Sequence, residues 1–185
     1  MTALYDLIDR TRAANARALI AIDGRCGSGK TTLAAQLAKR YGCPVIHMDD
    51  FFLRPEQRTP ERLATPGENI DHERFLAEVL LPLRQNGRCV YRPFCCATQT
   101  PGEEIEVVCD SLCLIEGSYA CHPLLREQYD ARIFLTVTLE EQLRRIEQRS
   151  GQAAAAVFKK KWIPLEEAYF DAFDIAARCD IQLHT

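Results

Sequence analysis

Apolar positions along this chain keep two rhythms, short unbroken runs and helical repeats. Residues 18–23, ALIAID, are a brief apolar run that predicts a buried strand. TTLAAQLAKRY follows, with Leu33, Leu37, Ala38 and Tyr41 at helical spacing. CPVIHM (43–48) predicts a second short strand that runs into Asp49 and Asp50. Residues 54–70, RPEQRTPERLATPGENI, are rich in proline and charge without a clean period, so an extended surface loop is expected. DHERFLAEVLLPLRQNG predicts a helix with an aspartate near its start and an Asn–Gly stop. CVYRPF (89–94) and EIEVVC (104–109) predict a small hairpin joined through ATQTPG. SLCLIEG (111–117) and ARIFLTV (131–137) predict two further core strands.

TLEEQLRRIEQRSG (138–151) places Thr138 and Glu141 at capping-box spacing and stops at Ser150–Gly151. QAAAAVFKKK (152–161) reads as a helical, mobile flap, and Pro164 suits the first turn of the helix IPLEEAYFDAFDIAA. CDIQLH predicts a last strand, and Leu4, Leu7 and Ile8 an amphipathic helix at the N-terminus. Strands alternating with helices mean an α/β fold with a mainly parallel sheet. No repeat and no linker divides residues 1–185, so a single domain is expected.

Composition narrows the partners. Of the 185 residues 47% are hydrophobic and 26% charged, ordinary values for a globular domain. A net charge of −3 gives no electrostatic reason to expect nucleic acid. No apolar run approaches the roughly eighteen residues that a membrane span needs. Asp6, Asp9 and Arg10 interrupt the N-terminal apolar positions, which argues against a signal peptide. The nine cysteines are odd in number and irregular in spacing, with no pair of C-x-x-C knuckles. They support neither a disulfide framework nor a zinc site, and a reducing cytoplasm is expected.

The sharpest chemistry lies in DGRCGSGKTTLA, between the first strand and the first core helix. Gly24, Gly29, Lys30 and Thr31 fit G-x-x-x-x-G-K-[ST], the loop whose backbone N–H groups cradle nucleotide phosphates. Glycine lets the backbone reach positive φ and approach an anion, and the following helix turns its positive end to the same phosphates. Gly24, Cys26, Gly27, Ser28, Gly29, Lys30, Thr31 and Thr32 are therefore the expected nucleotide-binding residues. Lys30 is placed to reach the β and γ oxygens, and Thr31 to hold Mg²⁺. Cys26 sits beside Lys30 and a helix N-terminus, conditions that lower a thiol pKa.

In a parallel sheet the ligand lies at the carboxyl ends of the strands. Asp49, Asp50 and Glu116 all follow predicted strands. One acid is needed at the metal and a second to take the proton of an acceptor hydroxyl. Arg144, Arg145 and Arg149 follow on a helix, where cations can stabilise charge spreading over a transferring phosphoryl group.

DGRCGSGKTTLA, HMDDFF, LIEGSYACHPLLREQYDARIFL, LRRIEQRSG and KWIPLEEAYF together resemble the uridine kinase family of P-loop kinases, related to phosphoribulokinase and pantothenate kinase. The resemblance implies a P-loop NTPase fold: a five-stranded sheet in the order 2-3-1-4-5, a lid near 150–161 and an acceptor-side hairpin near 88–109. It implies ATP as donor with Mg²⁺, Asp49 as the base, Glu116 at the metal, and Arg145 and Arg149 from the lid region. Tyr91, Cys95, Tyr119 and His122 become candidates for acceptor binding. The family places an aspartate on the ribose hydroxyls where this chain has Cys95, and a thiol is a weak hydrogen-bonding substitute. A nucleoside such as uridine or cytidine is the leading acceptor. A nucleoside monophosphate kinase using Arg54, Arg58 and Arg62, a kinase of a non-nucleoside acceptor, and an ATPase or switch without acceptor are the alternatives. The oligomeric state stays open.

Overall fold

A computed structural model describes residues 1–185. The chain opens with α1 (Thr2–Ala14), whose Leu4 and Ile8 are fully buried one turn apart. β1 (Ala18–Gly24) is buried at every residue and leads through the glycine loop into α2 (Lys30–Tyr41). β2 is short, Val45–His47, and α3 is Pro60–Ala64. α4 (His72–Phe75) and α5 (Leu81–Asn86) are joined by a π-turn over Leu76–Leu80. The hairpin strands are β3 (Arg88–Tyr91), β4 (Phe94–Cys95), β5 (Thr100–Pro101) and β6 (Ile105–Val108). β7 (Leu112–Glu116) and β8 (Ala131–Thr136) return to the core. After α6 (Leu139–Ser150), α7 (Gln152–Val157) and α8 (Ile163–Phe173), the chain ends in β9 (Ile181–His184).

The central sheet has the order β2-β7-β1-β8-β9 and is parallel throughout. Counted as core strands this is 2-3-1-4-5, the expected order, with β3–β6 set aside in two small antiparallel pairs. Side chains alternate across a strand, and both faces of this sheet are covered. Ile20, Ile22, Leu114 and Ile133 pack with Leu4, Ile8, Leu33 and Leu37 from the two N-terminal helices. Leu19, Ala21, Ile115 and Phe134 face the other way, against Phe51, Phe75, Tyr169 and Phe170.

Three local expectations change. Residues 54–70 are not a plain loop: a 3₁₀ turn covers Pro55–Gln57, and Thr59 caps α3 by accepting from the Arg62 backbone N–H. The bridge Phe52–Ile70 closes that segment on itself. Asp49 and Asp50 lie in a 3₁₀ turn, Met48–Phe51, rather than on an extended strand end. The flap at 152–161 is helical but joins α8 through a second π-turn, Phe158–Trp162. Both π-turns end two residues before a proline, Pro82 or Pro164. Proline cannot donate the i→i−4 bond and its ring clashes with that carbonyl, so a widened turn absorbs it.

Candidate active site

The loop between β1 and α2 turns on Gly24, whose φ is +136°. A Cβ there would lie 1.9 Å from the Leu135 carbonyl oxygen of the paired strand, so only glycine fits. Beyond it, no protein acceptor meets the backbone N–H of Gly27 or of residues 29–32. Donors left over at a helix N-terminus form a ready anion site. The Ser28 hydroxyl is buried beside them without a partner. Lys30 is buried, and its Nζ donates to Gly24 O (2.7 Å), Arg25 O (3.0 Å) and Ser118 Oγ (3.3 Å). The loop faces a cleft of about 1400 Å³.

Three strand ends converge on that cleft. Thr31 Oγ1 donates to Glu116 Oε1 at 3.1 Å, and His47 Nδ1 lies 2.5 Å from the same oxygen. The Glu116 carboxylate raises the His47 pKa, outweighing burial. Asp49 lines the cleft and is open to its water, yet the surrounding protein raises its pKa. Lys30 opposes that rise and Glu116 adds to it. Asp50 points elsewhere and accepts from the Tyr91 hydroxyl at 2.9 Å.

Arg145 and Arg149 both line the cleft from α6. Arg145 donates to Gly27 O at 3.2 Å and to Glu141 Oε1 at 2.7 Å, which ties α6 to the phosphate loop. The Arg149 guanidinium lies 5.9 Å from the Phe158 ring and has no carboxylate partner. Arg144, by contrast, is exposed and spends itself on Glu141.

The structure brings Cys26, Gly27, Ser28, Gly29, Lys30, Thr31, Thr32, Asp49, Glu116, Tyr119, Arg145 and Arg149 onto one cleft. Four expected residues stand outside its lining. Gly24 shapes the loop from behind, and Tyr91 is buried on Asp50. Cys95 is exposed on the hairpin at the end of β4, and its neighbour Cys96, in the turn that follows, reaches the cleft instead. His122 is buried with its ring stacked on His72 at 4.3 Å, beside Glu68. The Cys26 thiol is not activated: burial pushes it up to about 12, and Glu166 adds to the rise. Desolvation outweighs the helix end here.

Two buried acids at the site, Glu166 and Asp23, were missed by the motif reading. Glu166 is buried and accepts from the Cys26 backbone N–H at 3.0 Å and from Ser118 Oγ at 2.5 Å. Its position on α8 shares a face with Ile163, Tyr169 and Phe170, all buried. An acid on an apolar stripe is the signal that could have found it. Asp23 is fully buried and accepts from Gly24 N, Tyr119 N, Cys121 N and the Tyr169 hydroxyl. Burial raises its pKa to about 6, against those hydrogen bonds and Lys30. Asp23 thus pins the loop after β7, and with it Tyr119, whose φ of +73° is strained for a bulky side chain.

No protein-family model matches the chain, and no curated protein matches its sequence. Solved structures do match over nearly its whole length. A proposed fructose transport system kinase from Silicibacter sp. TM1040 is 23% identical, with a TM-score of 0.73 over 98% of this chain and 97% of that one. A possible uridine kinase from Bacillus stearothermophilus is 22% identical, with a TM-score of 0.66 over 98% and 99%. Phosphoribulokinase from Rhodobacter spheroides is 16% identical, with a TM-score of 0.62 over 91% and 70%. The protein has the fold of the P-loop kinases. Within that fold it is similar to structures described as a possible uridine kinase and as phosphoribulokinase, the relatives that the sequence motifs suggest.

Proposed function

We propose that the protein is an ATP-dependent phosphotransferase that moves the γ-phosphoryl group to a hydroxyl of a small metabolite. The observation that carries this reading is a row of unpaired N–H groups and Lys30 facing the same cleft as Asp49. The N–H groups and Lys30 bind the donor phosphates and stabilise charge that develops during transfer. Asp49, with a raised pKa, takes the proton of the acceptor hydroxyl as the phosphoryl group arrives. Arg145 and Arg149 close the donor side.

Thr31 and Glu116 offer hard oxygen atoms 3.1 Å apart, a donor set that suits Mg²⁺. When bound, the ion would neutralise charge on the phosphate oxygens. The acceptor lies among Phe52, Leu53, Asn69, Ile70 and Tyr119. Apart from Asp49 that wall offers no carboxylate for a ribose diol, which weakens the nucleoside reading.

A nucleoside monophosphate kinase would grip an acceptor phosphate with several arginines. Two candidates are committed elsewhere: Arg54 to Glu56 and Asp71, and Arg62 to Glu68 and Glu73. An ATPase without acceptor would have no use for the enclosed wall beyond Asp49. Coupled assays of ADP and of free phosphate, over nucleosides, sugars and pantothenate, test the reading. Acceptor-dependent ADP without phosphate release supports a kinase, and phosphate release that ignores every acceptor contradicts it.

A further inference from the structure

We infer that the acceptor carries an anionic group, a carboxylate or a phosphate, and that Arg58 receives it; the inference rests on the kinase reading above. The acids that line the cleft are Asp49, Glu116 and Glu166. Glu116 is held by Thr31 and His47, and Glu166 by Cys26 and Ser118, all at the phosphate end. The wall built by residues 52–70 is mostly apolar, with Phe52, Leu53, Leu63 and Ile70 beside the neutral Asn69, and its one charged residue on the cleft is Arg58.

Arg58 differs from its neighbours. Arg54, Arg62 and Arg74 each lie within 4.0 Å of a carboxylate, whereas no carboxylate reaches Arg58. Its guanidinium is nevertheless fixed, because Nε (2.9 Å) and Nη2 (2.7 Å) both donate to the Leu53 carbonyl. The Phe94 ring lies 5.8 Å away. The Nη1 group has no protein acceptor, so an exposed cationic fork, anchored on the Leu53 carbonyl, stands at the cleft with one arm free. A planar guanidinium held in this way loses little freedom when it binds a carboxylate or phosphate. Backbone strain points to the same chamber. Of three non-glycine residues at positive φ, Gln99 and Tyr119 both line it.

The reaction would then be acceptor hydroxyl attack on the γ-phosphorus, with release of ADP and transfer of the hydroxyl proton to Asp49. Arg58 takes no part in bond making and sets which molecule is seated.

The test compares neutral acceptors (uridine, cytidine, ribose and fructose) with anionic ones (glycerate, pantothenate, ribose 5-phosphate and fructose 6-phosphate). ADP formation should depend on an anionic acceptor, and the preferred members of that set separate a carboxylate from a phosphate. Arg58→Gln should raise the acceptor KM by about ten- to a hundred-fold, with a smaller change in kcat. Arg58→Lys, which keeps charge and loses the fork, should fall between, and melting of both variants checks the fold. A neutral preferred acceptor, or an anionic one whose KM ignores Arg58→Gln, overturns the inference and leaves the kinase reading standing. A panel with no acceptor-dependent ADP overturns both.

Discussion

Replacing Lys30 by alanine separates the chemistry of the phosphate loop from its architecture. Its ammonium makes three hydrogen bonds, two of them to carbonyls of the loop it must serve. Those carbonyls lie beside an open cleft, so water can take over part of the loss once the side chain is gone. A cost of about 1–2 kcal/mol is expected, a fraction of the roughly 5–15 kcal/mol that holds a domain together. At this chain length that lowers the melting temperature by about 2–8 °C. Transfer has no such substitute, because a fixed cation against the developing charge is worth roughly 10²–10³ in kcat. Circular-dichroism melting and steady-state ADP formation on one preparation measure both. A folded variant with near-normal turnover would refute the role of Lys30. Loss of the native fold would refute the separation of function from packing.

Gly24→Ala should fail differently: its Cβ would meet backbone atoms of Leu135 at 1.9 and 2.7 Å, so a loss of about 3 kcal/mol or more is expected in urea unfolding. Asp23 makes stability depend on pH. Its carboxyl has a pKa of about 6 when folded and 3.8 as the reference, so the folded state holds the extra proton between those values. Stability therefore falls as pH rises from about 4 to about 6, by on the order of 3 kcal/mol, and Asp23→Asn should lose that part of the slope in urea unfolding across the range. Arg149 is exposed and free of carboxylates, so Arg149→Ala should leave melting unchanged and lower kcat by about tenfold or more. An unchanged kcat would return Arg149 to an ordinary solvated helix face.

The core strands and the convergence of Lys30, Asp49 and Glu116 were legible because each element buries enough apolar surface to show its period, whereas the strand order came from the resemblance to the uridine kinase family. Parallel strands then deliver their C-terminal residues to one edge. What escaped was too short or too local for a period. α3 is five residues long and shows only as Thr59 before Pro60. The 3₁₀ turn at Met48–Phe51 sends Asp49 to the cleft and Asp50 to the Tyr91 hydroxyl, a divergence that extended spacing would also have predicted, for another reason. Glu166 and Glu167 are adjacent, and only the phase of α8 decides that one enters the cleft while the other pairs with Arg25 at 2.6 Å. Cys26 shows the opposite failure. The local helix end was read correctly, but burial and Glu166 set the thiol's chemistry.

Asp49 bears the central claim, since transfer to a hydroxyl needs a base where this carboxylate stands. The direct measurement is acceptor-dependent ADP formation by Asp49→Asn, taken together with the Kd for ATP. The amide keeps the shape of the side chain and cannot take a proton, so kcat should fall by roughly two orders of magnitude or more. The Kd for ATP should change little, because the proposed site gives the donor phosphates to the unpaired N–H groups and Lys30 rather than to Asp49. An Asp49→Asn variant that turns over its acceptor at the wild-type rate would contradict the account.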